Sequence, residues 1–155
     1  MARTELLEPN DILLDVVYRN WGLSSPLDKD KIDFVTDDVR ITKTMGLAFV
    51  ANGSDALPIA GSSLITFYMK RYLIDVVIHV TTERGRSDSV QVAKSKRWTL
   101  LKEVERIVDE YNKSLPKHHK DWLIEYQLGR TFPPTDNFNE GLFAIRKRIE
   151  AVSSR

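Results

Sequence analysis

The sequence contains no cysteine. Disulfide staples, thiolate zinc sites and cysteine nucleophiles are thereby excluded. Histidine is scarce: three residues, at 79, 118 and 119, confine imidazole chemistry to two places. Neither sign of charge dominates. The 23 Lys and Arg against 22 Asp and Glu leave a net charge of +1, so no global field points to nucleic acid or a membrane surface. No apolar run approaches the ~18–20 residues of a helical membrane span. The start, Met1 to Pro9, lacks the apolar core of a cleaved signal peptide. Internal repeats, low-complexity tracts, glycine-rich phosphate loops, nucleophile elbows and His-Glu-x-x-His are all missing. What is present is ordinary for a folded domain: 155 residues, 42% hydrophobic and 29% charged, enough for a real core and read as one domain over 1–155.

The strongest pattern is Tyr72–Val80 and the charged segment after it. Tyr72, Ile74, Val76, Ile78 and Val80 fall on one face of a strand; Leu73, Asp75, Val77, His79 and Thr81 fall on the other. The first face is apolar and mostly β-branched, hence buried; the second is mixed, hence covered only in part. After a turn at Arg84-Gly-Arg86, Asp88 is the expected N-cap, with Gln91 three residues on. Val90, Ala93, Arg97, Leu100, Leu101, Val104, Ile107, Val108 and Tyr111 then trace one helical face, with Glu103, Glu105, Arg106, Asp109 and Glu110 mainly outside it. Asn112, Ser114 and Pro116 are the expected stop, giving a helix over 88–112 and a rod of ~37 Å, longer than the sheet of a small domain.

Around this unit, Ile12, Leu13, Val16, Val17 and Trp21 predict an amphipathic helix over 10–21, capped by Asn10 or Asp11 and stopped by Gly22. Residues 23–38 read as a loop with a short turn near Ile32–Val35. Their aspartates, at 28, 30, 33, 37 and 38, lack the glycine and closing glutamate of a calcium loop. Val39–Ala51 is extended, with Gly46 as a bulge or bend, and Asn52-Gly53 signals a tight turn. Residues 54–63 are then the return arm of a hairpin or a loop, with Pro58 against a central strand. Leu64–Glu83 is one long strand or two collinear ones, of the kind that projects beyond its sheet as a ribbon. Leu115–Lys120 is a basic loop, Asp121–Leu128 a strand, and Gly129–Gly141 a long loop. Leu142–Val152 fits a strand through Phe143, Ile145 and Ile149, with Lys147 as the mismatch. It also fits a helix through Leu142, Ile145, Ile149 and Val152. The order predicts an α+β fold: a mostly antiparallel sheet with an N-terminal helix and one long helix packed on one face.

Each candidate for chemistry has a plainer reading. His118-His119, beside Lys117 and Lys120, suits a metal or phosphate site, yet adjacent histidines diverge and a solvated turn explains them. Asp75 and His79 would support a metal-dependent hydrolase, but four residues of strand set them ~13 Å apart, too far for a direct bond. Asp75, Glu83 and Lys94 resemble the carboxylate–carboxylate–lysine set of metal-dependent nucleases only loosely, since no Glu-x-Lys strand follows. Lys94–Trp98 and Lys117–Lys120 would serve a nucleic-acid-binding module. The alternative for the first is a solvated helix face with Trp98 at the edge of the core. No cofactor, metal or catalytic residue is expected. The overlong strand, the overlong helix and a loop carrying Phe132 and Phe138 favour an assembly part.

The pattern resembles the tail terminator and tail completion proteins of long-tailed phages and related archaeal viruses. The resemblance rests on the helix Asp11–Trp21, the Val-Arg-Ile-Thr strand at Val39–Thr42, and the basic-aromatic Lys70-Arg-Tyr72 running into Ile-Asp-Val-Val-Ile-His-Val80. The turn Thr82-Glu-Arg-Gly-Arg86 into the long helix and the closing strands from Trp122 complete it. The chain departs from that pattern in its length and in segments 52–63 and 129–141. The resemblance implies a non-enzymatic virion protein made in the host cytoplasm. It would assemble with itself as a hexameric ring and join tail tube to neck and head, close to packaged DNA and without a membrane partner. It also favours a strand for Leu142–Val152. The subunit and partner contacts then expected are Lys70, Arg71, Asp75, His79, Arg84, Arg86, Arg130, Phe132 and Phe138.

Overall fold

Two helices lie on one face of a six-stranded, mostly antiparallel sheet. The computed structural model describes residues 8–22, 27–36, 41–61, 66–82, 87–118, 124–137 and 140–153. In chain order these give α1 (Pro9–Asn20), a 3-10 turn (Lys29–Lys31), β1 (Ile32–Thr36), β2 (Met45–Gly61) and β3 (Thr66–Thr81). There follow α2 (Ser87–His118), β4 (Ile124–Thr131), β5 (Thr135–Asn137) and β6 (Leu142–Ser153). The strands run β1-β2-β3-β6-β4 across the sheet, with β5 continuing beside β6. Among the described residues only β1 against β2 is parallel. The expected architecture is therefore the observed one.

The period-two face of β3 makes the centre of the core. Ile74, Val76, Ile78 and Val80 pack with Leu47 and Phe49 of β2, Phe143 and Ile149 of β6, Leu13 and Val17 of α1, and Leu100, Val104 and Ile107 of α2. The helical stripes supply the other wall because residues three and four apart share a helix face.

Several local expectations are corrected. α1 begins at Pro9, whose fixed φ suits the first helical position, so Glu8 takes the N-cap place. Of the two expected caps, Asp11 lies in the first turn, and Asn10 turns inward and donates to Phe49 O at 3.1 Å. The turn expected near Ile32–Val35 is strand β1, because β2 offers it a free edge. β2 starts only at Met45, and Gly46 is a regular rung opposite His79. Its missing side chain makes room for Ile41, whose carbons would lie 2.6–2.9 Å from a Cβ there. Asn52-Gly53 does not reverse the chain. The strand slips register between Ala51 and Ser54, with Gly53 at φ +95°, and continues outward to Gly61. Residues 54–61 are thus the outgoing arm of the hairpin, and β3 is the return arm.

α2 is longer than expected. It begins at Ser87, so Asp88 lies inside its first turn, and it passes Asn112, Ser114 and Pro116 to reach His118. At ~1.5 Å per residue it is ~48 Å long. Glu103, placed outside the apolar stripe, is buried and held by two hydrogen bonds from Arg106 at 2.8 and 2.9 Å. Trp98 is 58% exposed rather than at the edge of the core. The long 129–141 loop is interrupted: β4 extends to Thr131, and Thr135–Asn137 pairs with β6. Leu142–Ser153 is a strand throughout. Its mismatch, Lys147, is buried under α2, where its ammonium meets Glu105 at 3.1 Å and Thr131 Oγ1 at 3.0 Å.

Candidate assembly surface

The helices leave the other face of the sheet without a second layer among the described residues. That face carries Leu73, Asp75, Val77 and His79 of β3 and Arg146, Arg148 and Glu150 of β6. Asp75 is only 3% exposed there, because donors surround it. Register sets Asp75 opposite Arg148, whose Nε and Nη2 donate to its two oxygens at 2.9 and 3.2 Å. Asn52, brought over by the register slip in β2, donates Nδ2 at 2.9 Å. Arg146 Nη1 stands 3.7 Å away. The hydrogen bond to Asp75, reinforced by its charge, raises the Arg148 guanidinium above its ordinary value.

Phe132 sits beside this network. The guanidinium carbons of Arg146, Arg130 and Arg148 lie 4.0, 4.9 and 5.3 Å from its ring centre. Local backbone geometry places it. β4 slips register between Leu128 and Thr131, and Phe132 N then donates to Arg146 O at 2.9 Å. The slip needs Gly129, where a Cβ would come within 3.0 Å of Arg148 O. Arg146 and Arg148 were not singled out by sequence reasoning. Their signal is an Arg-x-Arg spacing, which puts both on one strand face, but only if 142–152 is read as a strand.

The other expected contact residues are placed as follows. His79 is half-buried on the same face, and burial lowers its pKa. It is not among the partners of Asp75, whose oxygens are taken by Arg148, Asn52 and Arg146. The hydrolase pair is thus not assembled by this geometry. Arg71 reaches Glu150 at 3.9 Å. The backbone of Lys70 pairs with Ala56 on one side and Ser153 on the other, at the last rung that β3 shares with β6. Arg84, Arg86 and Phe138 lie outside the described residues, as does His119.

The basic cluster Lys94–Trp98 loses Arg97 to the fold. Arg97 is buried, ion-pairs with Asp136 of β5 and donates to Ala144 O at 3.4 Å. It clamps α2 to the sheet. Trp98 instead receives Lys102, 4.4 Å from its ring centre.

Beyond Lys70 the hairpin outruns its neighbours. β1 pairs with β2 only as far as Phe49, and β6 ends against Lys70. From Leu57↔Met69 to Gly61↔Thr66 the two arms pair only with each other among the described residues. That ribbon extends ~17 Å at ~3.4 Å per residue. At its base, Pro9, Asn10, Ala51, Gly53, Tyr72 and Ile74 line an open cleft of about 250 Å³. Among the described residues no group of three His, Asp or Glu is placed to hold a metal ion. No protein-family model and no curated protein sequence matches the chain.

Proposed function

We propose that this protein is a ring-forming structural component of a virion, a tail terminator or neck protein that joins tail tube to head without catalysis. Copies of the chain are its first partner, in a hexameric ring; tube and connector proteins are the next, with packaged DNA nearby. The observation that carries this reading is the β2–β3 ribbon. An isolated two-stranded hairpin is at best marginally stable in water, and its outer edges present unpaired N–H and C=O groups. A ribbon that leaves its own sheet, with apolar residues in sequence at Leu57, Ile59, Phe67 and Met69, is suited to lie against a neighbouring copy. The uncovered sheet face offers a second surface for the same purpose.

The test is the mass and shape of the native particle, by native mass spectrometry and negative-stain imaging. Wild type is expected to form closed rings with a central hole. A chain shortened by joining Asp55 to Arg71 through an Asn-Gly turn should stay folded by circular dichroism and fall to the monomer. A wild-type chain that is monomeric at every concentration overturns the ring. Retention of bound DNA by such a monomer would favour the nucleic-acid module instead.

A further inference from the structure

We infer that the sheet face beside β4 holds a phosphate group between Arg130 and Arg146. The ring reading neither requires this site nor supplies it, and a monomer or a ring can be tested for it alike.

Three guanidinium groups meet at one phenyl ring. Those of Arg146, Arg130 and Arg148 stand 4.0, 4.9 and 5.3 Å from the centre of Phe132. The ring offsets part of their mutual repulsion, since the face of a π system attracts cations. Among the described residues one carboxylate, Asp75, is engaged with them. Three positive charges less one negative leave an excess of two. Glu150, also on this face, is ion-paired with Arg71 at 3.9 Å.

The carboxylate is not shared evenly. Arg148 donates to both Asp75 oxygens, and Asn52 Nδ2 donates to one of them. Arg146 stands 3.7 Å from the same carboxylate, and its side chain is 46% exposed. Arg130 is exposed and has no carboxylate partner among the described residues. The uncompensated charge therefore lies on Arg146 and Arg130.

The backbone fixes where those charges sit. Arg146 lies inside β6, opposite Val77 of β3, and its carbonyl accepts from Phe132 N at 2.9 Å. The register slip between Leu128 and Thr131 lets Arg130 reach the Phe132 ring. A Cβ at Gly129 would meet Arg148 Cγ at 3.4 Å, so glycine leaves the stem of Arg148 its path across the strand.

A single anion fits the space between the two exposed groups. With 4.0 and 4.9 Å to one ring centre, the guanidinium carbons of Arg146 and Arg130 are at most 8.9 Å apart. Guanidinium forks donate to phosphate oxygens at ~2.7–2.9 Å, so a phosphate standing between two forks bridges a gap of that order. A dianion matches the excess of two; a second carboxylate would match half of it. Because the excess is confined to this pair, the site takes one phosphate group, whether free or part of a nucleic-acid backbone.

Isothermal titration calorimetry of the full chain with inorganic phosphate, at an ionic strength held constant with chloride, tests this. Wild type should take up a single phosphate per chain. Arg130→Gln and Arg146→Gln should each weaken that uptake by at least about tenfold. Arg130 is exposed and outside the Asp75 hydrogen bonds, so its variant should keep the wild-type circular dichroism. Arg19→Gln, the same charge change in the exposed Arg19–Asp15 pair of α1, should leave uptake unchanged. Uptake lost in both cluster variants, with no retention of a DNA oligonucleotide, supports the site with free phosphate as its ligand. Oligonucleotide retention that phosphate competes away and Arg130→Gln abolishes supports it with nucleic-acid phosphate as the ligand. No saturable uptake of either probe by wild type overturns the site. So does uptake that both cluster variants leave unchanged, or that Arg19→Gln weakens equally. A particle mass altered by Arg130→Gln, with neither probe bound by wild type, overturns it in favour of a contact between copies.

Discussion

On one side of β3, Ile74, Val76, Ile78 and Val80 are buried beneath two helices; on the other, Asp75 is buried almost as deeply with no helix above it among the described residues. One backbone and one alternation serve both. The covered face excludes water by packing apolar groups from four directions, and its energy scales with area. The other face excludes water at a single point, where Arg148, Asn52 and Arg146 close over a carboxylate. Burial there is a product of hydrogen bonding, and the residues around it stay half-open. Depth in this molecule therefore does not report which force put a residue there.

The sharpest way to break that comparison is to truncate neighbours on opposite faces. Ile78→Ala, in the core, should cost about 3 kcal/mol through lost transfer energy and a residual cavity. Val77→Ala, one residue away on the half-open face, should cost about 1 kcal/mol or less. Urea denaturation of the two variants measures the difference. Equal losses would mean that the second face is covered in solution.

Next in size is Asp75→Ala. It leaves Arg148 and Arg146 facing each other and orphans the Asn52 amide. Partial exposure of both arginines moderates the loss, to about 2 kcal/mol. Asp75→Asn keeps the shape and an acceptor and should cost less. A loss no larger than that of Val77→Ala would show that the network contributes nothing beyond its packing.

The covered face was legible in the sequence because its rule is periodic: apolar at every second residue of β3 and at every third or fourth of the helices. The network on the other face was legible only in its centre. Asp75 stands out as an acid in an apolar strand, but its partners come from residues 52, 146 and 148, and only the registers of β3 against β2 and β6 bring them there. The Asn52-Gly53 pair misled for a related reason. Local turn chemistry lost to the long pairing of β2 with β3, which accommodated the glycine as a slip between rungs. Pro116 was overridden in the same manner within α2.

The edge of the sheet gives a smaller test. Among the described residues β4 has a neighbouring strand on one side only, yet at Tyr126 its outer edge is closed by a side chain. Tyr126 N donates to Asn112 Oδ1 at 3.1 Å, and Asn112 Nδ2 donates to Tyr126 O, so one primary amide stands in for a neighbouring strand. Asn112→Ala should cost about 1–2 kcal/mol. The Tyr126 amide should also exchange hydrogen faster than its neighbours in β4. Unchanged exchange at Tyr126 would mean that the edge is shielded by something else.

The smallest effect expected is a pH dependence from His79. Burial on the half-open face penalises its charged form and lowers its pKa from the ordinary 6.5. Above that value the imidazole is neutral in folded and unfolded chains alike, and it contributes no slope. As pH falls through 6.5 the unfolded chain takes up the proton first, so stability falls. The fall continues to the depressed folded value and levels off below it. His79→Gln should remove that slope while leaving the midpoint at neutral pH nearly unchanged. The separate acid limb from Asp33 should remain. Backbone donation from Lys43 holds that carboxylate below 3.8, so its contribution is lost only at lower pH. Denaturation midpoints at a series of pH values, for wild type and His79→Gln, separate the two. A wild-type slope near neutral pH that survives the substitution would place the titrating group elsewhere, and His79 would then be no more buried in solution than its open-face neighbours.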